Sequence, residues 1–80
     1  MNRYEMHELK QGTPVMVRFK RDQPELLGLY QYPRYTDINH PASNYGLVSF
    51  GRRDIWVSCD DVRTLTDAEF ASLTTKIQKS

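Results

Sequence analysis

The feature that most limits how this chain can fold is a run of strict alternation. In the segment Val15-Met16-Val17-Arg18-Phe19-Lys20-Arg21, the residues Val15, Val17 and Phe19 fall on one side of an extended backbone, and Met16, Arg18 and Lys20 on the other. Successive strand residues point to opposite faces, so the pattern reads as an antiparallel strand over residues 15–21, packed on one face and wet on the other. Turn formers bound it. Gly12-Thr13-Pro14 precedes it, and Asp22-Gln23-Pro24-Glu25 follows. Gly12 supplies turn freedom, and Pro14 suits the first residue of an edge strand, where a missing N–H costs nothing.

The same rhythm repeats. Further strands are predicted over residues 26–32, 45–50, 55–58 and, briefly, 62–65. Gly28, inside the second, suggests a bend or a close backbone approach. Gly51-Arg52-Arg53-Asp54 reads as a tight hairpin connection, with Gly51 free to take a positive φ. Cys59-Asp60-Asp61 reads as a single 3₁₀ turn. Residues 33–44 hold Pro33, Asp37, Asn39, Pro41, Ser43 and Asn44, and form a long loop of the kind that is often functional or mobile. The period then changes to that of a helix. Thr66-Asp67-Ala68-Glu69 is a capping box, with Leu65 and Phe70 spaced for a hydrophobic staple. Phe70, Leu73 and Ile77 form one apolar stripe, with Asp67 and Glu69 near the positive end of the helix dipole and Lys76 and Lys79 near the negative end. This helix is expected to cover an open end or edge of the sheet. The resulting organisation is a lead over 1–10, a small β-barrel over 11–65 and a C-terminal helix over 66–80: mainly β, with five strands and one α-helix.

With 80 residues, 39% of them hydrophobic, the chain can build one small core. A core of that size is marginal, which favours association with a partner or with further copies. There is no apolar run of about 20 residues for a membrane helix, and residues 1–10 lack the apolar segment of a secretory signal. The single cysteine, Cys59, forms no internal disulfide. The expected compartment is therefore the cytoplasm. Lys and Arg number 11 against 10 Asp and Glu, giving a net charge of +1. That balance argues against a uniformly basic nucleic-acid binder.

The segments 9–12, 15–19, 27–29, Leu47-Val48-Ser49-Phe50-Gly51, Ile55-Trp56-Val57 and Asp61-Val62-Arg63-Thr64-Leu65 together resemble the SH3-like barrels in the broad sense that includes Tudor domains. The resemblance spans residues 9–65 and implies a five-stranded SH3-like barrel that binds a ligand without catalysis. A second, weaker resemblance over residues 12–32 and 45–65 is to the plasmid-borne, trimethoprim-resistant dihydrofolate reductases, short-chain barrels that act as tetramers. Those enzymes line their pore with a Val-Gln-Ile-Tyr segment. Here Asp54-Ile55-Trp56-Val57 stands in its place, without the glutamine and tyrosine, which argues against reductase activity while leaving a symmetric oligomer with a pore for a small planar ligand as a reading.

Aromatic residues carry the main functional reading. Tyr30, Tyr32, Tyr35, Tyr45, Phe50 and Trp56 all lie beyond residue 29 of the barrel block. Tyr30, Tyr32, Tyr45, Phe50 and Trp56, with Asp54 as a polar anchor, are the candidate contact surface for a peptide or protein partner. In the Tudor-like version, several rings enclose a methylated lysine or arginine, each favourable cation–π contact being worth about 0.5–2 kcal/mol. The competing reading is ordinary strand packing, since aromatics favour strands. Trp56 decides between them: if Ile55 and Val57 point inward, Trp56 points outward. An alternative site is a basic one for single-stranded nucleic acid, formed by Arg18, Lys20, Arg34, Arg52 and Arg53, with Arg21 nearby and the tyrosines offering stacking planes. Against it, Asp22, Glu25, Asp37 and Asp54 lie close enough to neutralise the cations.

No catalytic or cofactor site is expected. His7, His40, Cys59, Asp60 and Asp61 match no tetrahedral zinc spacing. Ser58-Cys59-Asp60 has no histidine placed to activate a nucleophile, and Cys59, beside two acids, is expected to have a raised thiol pKa. The four glycines are isolated, so there is no phosphate-cradling loop.

Overall fold

A computed structural model describes residues 1–79 in backbone and the side chains as far as Leu73. The elements are α1 (Arg3–His7), β1 (Thr13–Val17), β2 (Leu26–Pro33), β3 (Tyr45–Ser49), β4 (Asp54–Ser58), a 3₁₀ turn (Cys59–Asp61), β5 (Val62–Thr64) and α2 (Asp67–Lys79). The strands form one antiparallel sheet in the order β4-β3-β2-β1-β5. β1 to β4 follow one another as a meander. The 3₁₀ turn then carries the chain from β4, on one edge, to β5, beside β1 on the other. β4 and β5 are not paired with each other, so the hydrogen-bonded sheet is open.

The packed face is the one the alternation marks. Val15 and Val17 of β1, Tyr30 of β2, Val48 of β3, Val57 of β4 and Val62 of β5 form one buried cluster together with Cys59. Gly28 belongs to this face because nothing larger fits. A Cβ there would collide with Val48 and lie 2.9 Å from Phe50 Cε1. The hairpin between β3 and β4 closes with Phe50 N–H donating to the Arg53 carbonyl at 2.8 Å, and Gly51 within it takes φ of +97°.

Three expectations change. The lead is not featureless: Asn2 and Glu5 form a reciprocal capping box that starts α1, and α1 delivers Met6 into the core with no exposed surface. β1 stops at Val17 rather than running to Arg21: the Arg18 N–H still bonds the Asp61 carbonyl in step with the Val17–Val62 pairing, and beyond it residues 20–23 close a turn from Gln23 to Lys20. Phe19 is therefore outside the strand, 40% exposed, with its ring 5.7 Å from that of Phe50. Finally, β1 is an interior strand. Pro14 is accommodated because β5 pairs only with Val15–Val17, so no β5 residue faces it.

The capping box of α2 is present: Glu69 N–H donates to Thr66 Oγ1 at 3.2 Å and Thr66 N–H to Glu69 Oε1 at 2.8 Å. The helix is fixed to the β5 edge at its first turn, where Arg63 bonds Glu69. Phe70, the first residue of its apolar stripe, is 40% exposed rather than buried. The side chains of Lys76, Ile77 and Lys79 lie outside the described residues. No helix among the described residues is long and apolar enough to cross a membrane.

Candidate functional site: an aromatic face with a fixed cation

The register builds the site. Across β2, β3 and β4, Tyr32 lies beside Leu47 and Leu47 beside Trp56. A shift in the β2–β3 pairing between Tyr30 and Tyr32 makes room for this row. Without it, Tyr30 and Tyr32, two apart, would share a face. With it, Tyr30 turns into the core and Tyr32 turns outward. Trp56 is 42% exposed and Tyr32 52%. Their rings meet edge-to-face, 6.0 Å apart at 72°. Leu47 is buried between them. Tyr45 and Asp54 alternate onto the same outer face along β3 and β4, and both are exposed.

The 33–44 loop supplies a cation. The Arg34 guanidinium lies 5.9 Å from the Trp56 ring and 5.8 Å from the Tyr35 ring. Tyr35 in turn stacks on His40 at 3.7 Å and 15°. The loop is held by its own bonds rather than loose. Asp37 accepts from Asn39 and His40, His40 Nδ1 accepts from Ala42 N–H at 3.0 Å, and buried Ser43 donates to the Ile38 carbonyl at 2.7 Å. Arg34 N–H is anchored on the Tyr45 carbonyl at 3.0 Å. The His40 bond requires an unprotonated Nδ1. The other end of the loop is tied to α1, where His7 Nε2 and the Ser43 carbonyl are 3.0 Å apart.

The aromatic residues named from the sequence therefore separate. Tyr32, Tyr45, Asp54 and Trp56 share the outer face. Tyr30 does not: it is 1% exposed, and burial pushes its phenol up to about 12. Phe50 packs half-buried against the core and Phe19. Arg34 belongs with the aromatic face rather than with the other basic residues. Arg18 and Lys20 follow β1, and Arg52 and Arg53 lie in the β3–β4 hairpin; the Phe19–Phe50 ring contact at 5.7 Å links these two segments. An open cleft of about 530 Å³ beside the end of β1 is lined by Arg18, Lys20 and Arg21, with Glu25, Asp60 and Asp61, and not by Arg52 or Arg53. Arg18 lies 3.8 Å from Glu25, so its charge is partly countered.

Cys59 is buried, and its thiol is pushed up chiefly by that burial, with Asp60 adding to it. This is the direction expected from the neighbouring acids, though the leading cause differs. Sequence reasoning misses the Arg34–Trp56 pairing because it depends on the β2–β3 shift, which no local spacing announces. Comparison with family models, with curated proteins and with solved structures finds no match for this chain.

Proposed function

We propose that the protein is a small non-enzymatic binding module whose outer β2–β3–β4 face recognises a peptide or protein segment carrying an apolar side chain next to a carboxylate. The observation that carries this reading is Trp56, exposed on a rigid strand, edge-on to Tyr32 and with the Arg34 guanidinium against its ring. Exposed Trp, Tyr and Arg are the residue types that dominate binding energy at interfaces. Arg34 has no carboxylate partner among the described residues, so it offers a charge for an acidic group. Because Arg34 already occupies the Trp56 ring, a methylated cation has to displace it, which favours an acidic ligand over a caged methyl-lysine. The meander that returns β5 beside β1 through one 3₁₀ turn supports the SH3-like or Tudor-like assignment, and such small β-folds commonly serve as ligand platforms.

Trp56 is the sole tryptophan, so its emission reports on this face alone. Three peptide pools test the reading, one acidic-apolar, one lysine-rich and one trimethyl-lysine, followed by Trp56 fluorescence and by amide shifts. The acidic-apolar pool is expected to move Trp56, Tyr32 and Arg34, and Arg34→Glu to abolish the response. Silence at Trp56 with every pool would sink the proposal. Binding of an oligonucleotide that weakens steeply with salt and maps to Arg18, Lys20, Arg52 and Arg53 would replace it with the nucleic-acid reading.

A further inference from the structure

We propose that the 33–44 loop is a proton-sensitive latch on the aromatic face: neutral His40 holds Arg34 against Trp56, and protonation of His40 releases it. This concerns how the face keeps its cation, and it stands whether or not the face binds a peptide.

Three contacts in series make the latch. Ala42 N–H donates to His40 Nδ1 at 3.0 Å. The His40 ring lies on Tyr35, with centroids 3.7 Å apart and planes 15° from parallel. The Arg34 guanidinium stands 5.8 Å from the Tyr35 ring and 5.9 Å from the Trp56 ring. A side chain able to change its charge thus supports, through one tyrosine, the cation of the face.

The first contact works in one protonation state only. A backbone N–H needs a lone pair, and Nδ1 offers one only while it carries no proton. On the imidazolium both ring nitrogens are donors, so two N–H groups would meet where the bond now is. Turning the ring over puts a carbon in that place, and it accepts nothing. The charged ring therefore has to leave Ala42. If it leaves Tyr35 as well, the support under Arg34 goes. If it stays on Tyr35, it sets a second positive charge against the ring that Arg34 already faces. Either route loosens Arg34.

His7 fixes where the loop gives way. Its Nε2 is 3.0 Å from the Ser43 carbonyl. A carbonyl only accepts, so Nε2 is the donor, and it remains one when the ring gains a proton. The two histidines of the chain thus bond in opposite senses. Acid breaks the bond at Ala42 and keeps the one at Ser43, so the movement is confined to the part of the loop before Ser43. The charged and titratable groups around His40 are Arg34, Tyr35 and Asp37 of the loop, with His7 reaching in from α1. Asp37 Oδ1 accepts from the Asn39 N–H, and no carboxylate pairs with His40 among the described residues.

An NMR titration from about pH 8 to about pH 5.5 tests this, because histidine is the side chain that ordinarily changes charge in that range. Circular dichroism confirms that each variant is folded. His7→Gln keeps a donor for Ser43 and leaves His40 as the only histidine, so its ring titration is read directly. At the upper pH, a nuclear Overhauser contact between the Arg34 side chain and the Trp56 indole is expected. It should fall by at least about two-fold at the lower pH, with the Ala42 amide and the Trp56 indole N–H moving at the His40 midpoint. His40→Asn keeps an acceptor at the same branch position, and no proton removes it in that range. Its Arg34–Trp56 contact should persist throughout. A contact absent at the upper pH overturns the proposal. So does one that stays unchanged while His40 titrates, or one lost equally in His40→Asn.

Discussion

Arg63 grips Glu69 with two hydrogen bonds, Nη1 to Oε1 at 2.8 Å and Nη2 to Oε2 at 2.9 Å, while its Nε and Nη2 hold Glu25 at 2.7 and 3.0 Å. One guanidinium in β5 thus ties the turn before β2 to the first turn of α2. Glu69 also accepts from the Thr66 backbone, so the same carboxylate completes the cap and the clamp. The Arg63 fork matches two carboxylates at once, which a lysine in its place does not.

The acid limb of stability should report this clamp. Arg63 and the Thr66 N–H hold the Glu69 carboxyl down at about 2, against an ordinary value of 4.5. A carboxyl lowered in the folded state contributes stability that is present above its unfolded value and lost as pH falls towards the folded one. The expected loss runs between about pH 4.5 and pH 2. Thermal melts across that range should show a steeper decline in wild type than in Glu69→Gln. Equal slopes would mean that the clamp does not act on folding.

Tyr30 should behave as a phenylalanine with a liability. Its hydroxyl is buried and has no hydrogen-bond partner among the described residues. A buried unsatisfied donor costs free energy that deletion recovers. Tyr30→Phe is expected to leave stability unchanged or to raise it by up to about 1 kcal/mol. Because burial raises the phenol to about 12 from 10, the neutral form is favoured on folding. Its contribution is complete below pH 10 and is lost as pH rises towards 12. Urea titrations should show wild type weakening over that interval and Tyr30→Phe holding. A variant less stable than wild type at pH 7 would reveal a hydroxyl partner.

Two glycines should fail for different reasons. At Gly28 a Cβ meets Val48 and Phe50 inside the core, so Gly28→Ala overpacks it. The expected cost is roughly 1–3 kcal/mol. At Gly51 nothing lies within 4 Å of a Cβ, but φ is +97°. Gly51→Ala should cost about 1–2 kcal/mol from the backbone alone. Adding Val48→Ala should therefore rescue part of the Gly28→Ala loss and none of the Gly51→Ala loss. Additive losses at both positions would show that the Val48 contact is not the cause.

Much of this fold can be read from local pattern, and the parts that cannot share a cause. The inward residues Val15, Val17, Val48 and Val57 follow from alternation, and the 3₁₀ turn at Cys59–Asp61 from its pair of acids after a strand. The α2 cap follows from Thr66 and Glu69. The Asn2-x-x-Glu5 spacing signals α1 by the same rule, but the burial of Met6 is set by packing against the sheet. What local pattern misses is set by pairing between distant segments. Strict alternation puts Tyr30 and Tyr32 on one face, and only the shift against β3 separates them. Phe19 alternates correctly with Val17, but the pairing with β5 runs out at Arg18 and the turn from Gln23 to Lys20 follows at once. Arg34 meets Trp56 and Arg63 meets Glu25 across gaps in sequence that no motif spans. The site is less legible than the fold because it is assembled from those long-range contacts.

The Arg34–Trp56 contact can be checked without knowing any ligand. A cation about 6 Å from an exposed indole should concentrate anions and repel cations there. At low ionic strength, the guanidinium is expected to raise quenching of Trp56 by iodide about two- to three-fold and to lower quenching by caesium by a similar factor, the local enrichment and depletion one charge produces at that range in water. Added salt should shrink the difference, since exposed charges are screened within about 10 Å at 0.1 M. Arg34→Gln should remove most of it while leaving quenching by neutral acrylamide unchanged, because Trp56 exposure is set by its place on β4 rather than by Arg34. An iodide-to-caesium ratio that is the same in Arg34→Gln as in wild type would show that the guanidinium does not sit beside the ring in solution, and the acidic-ligand reading would lose its charge.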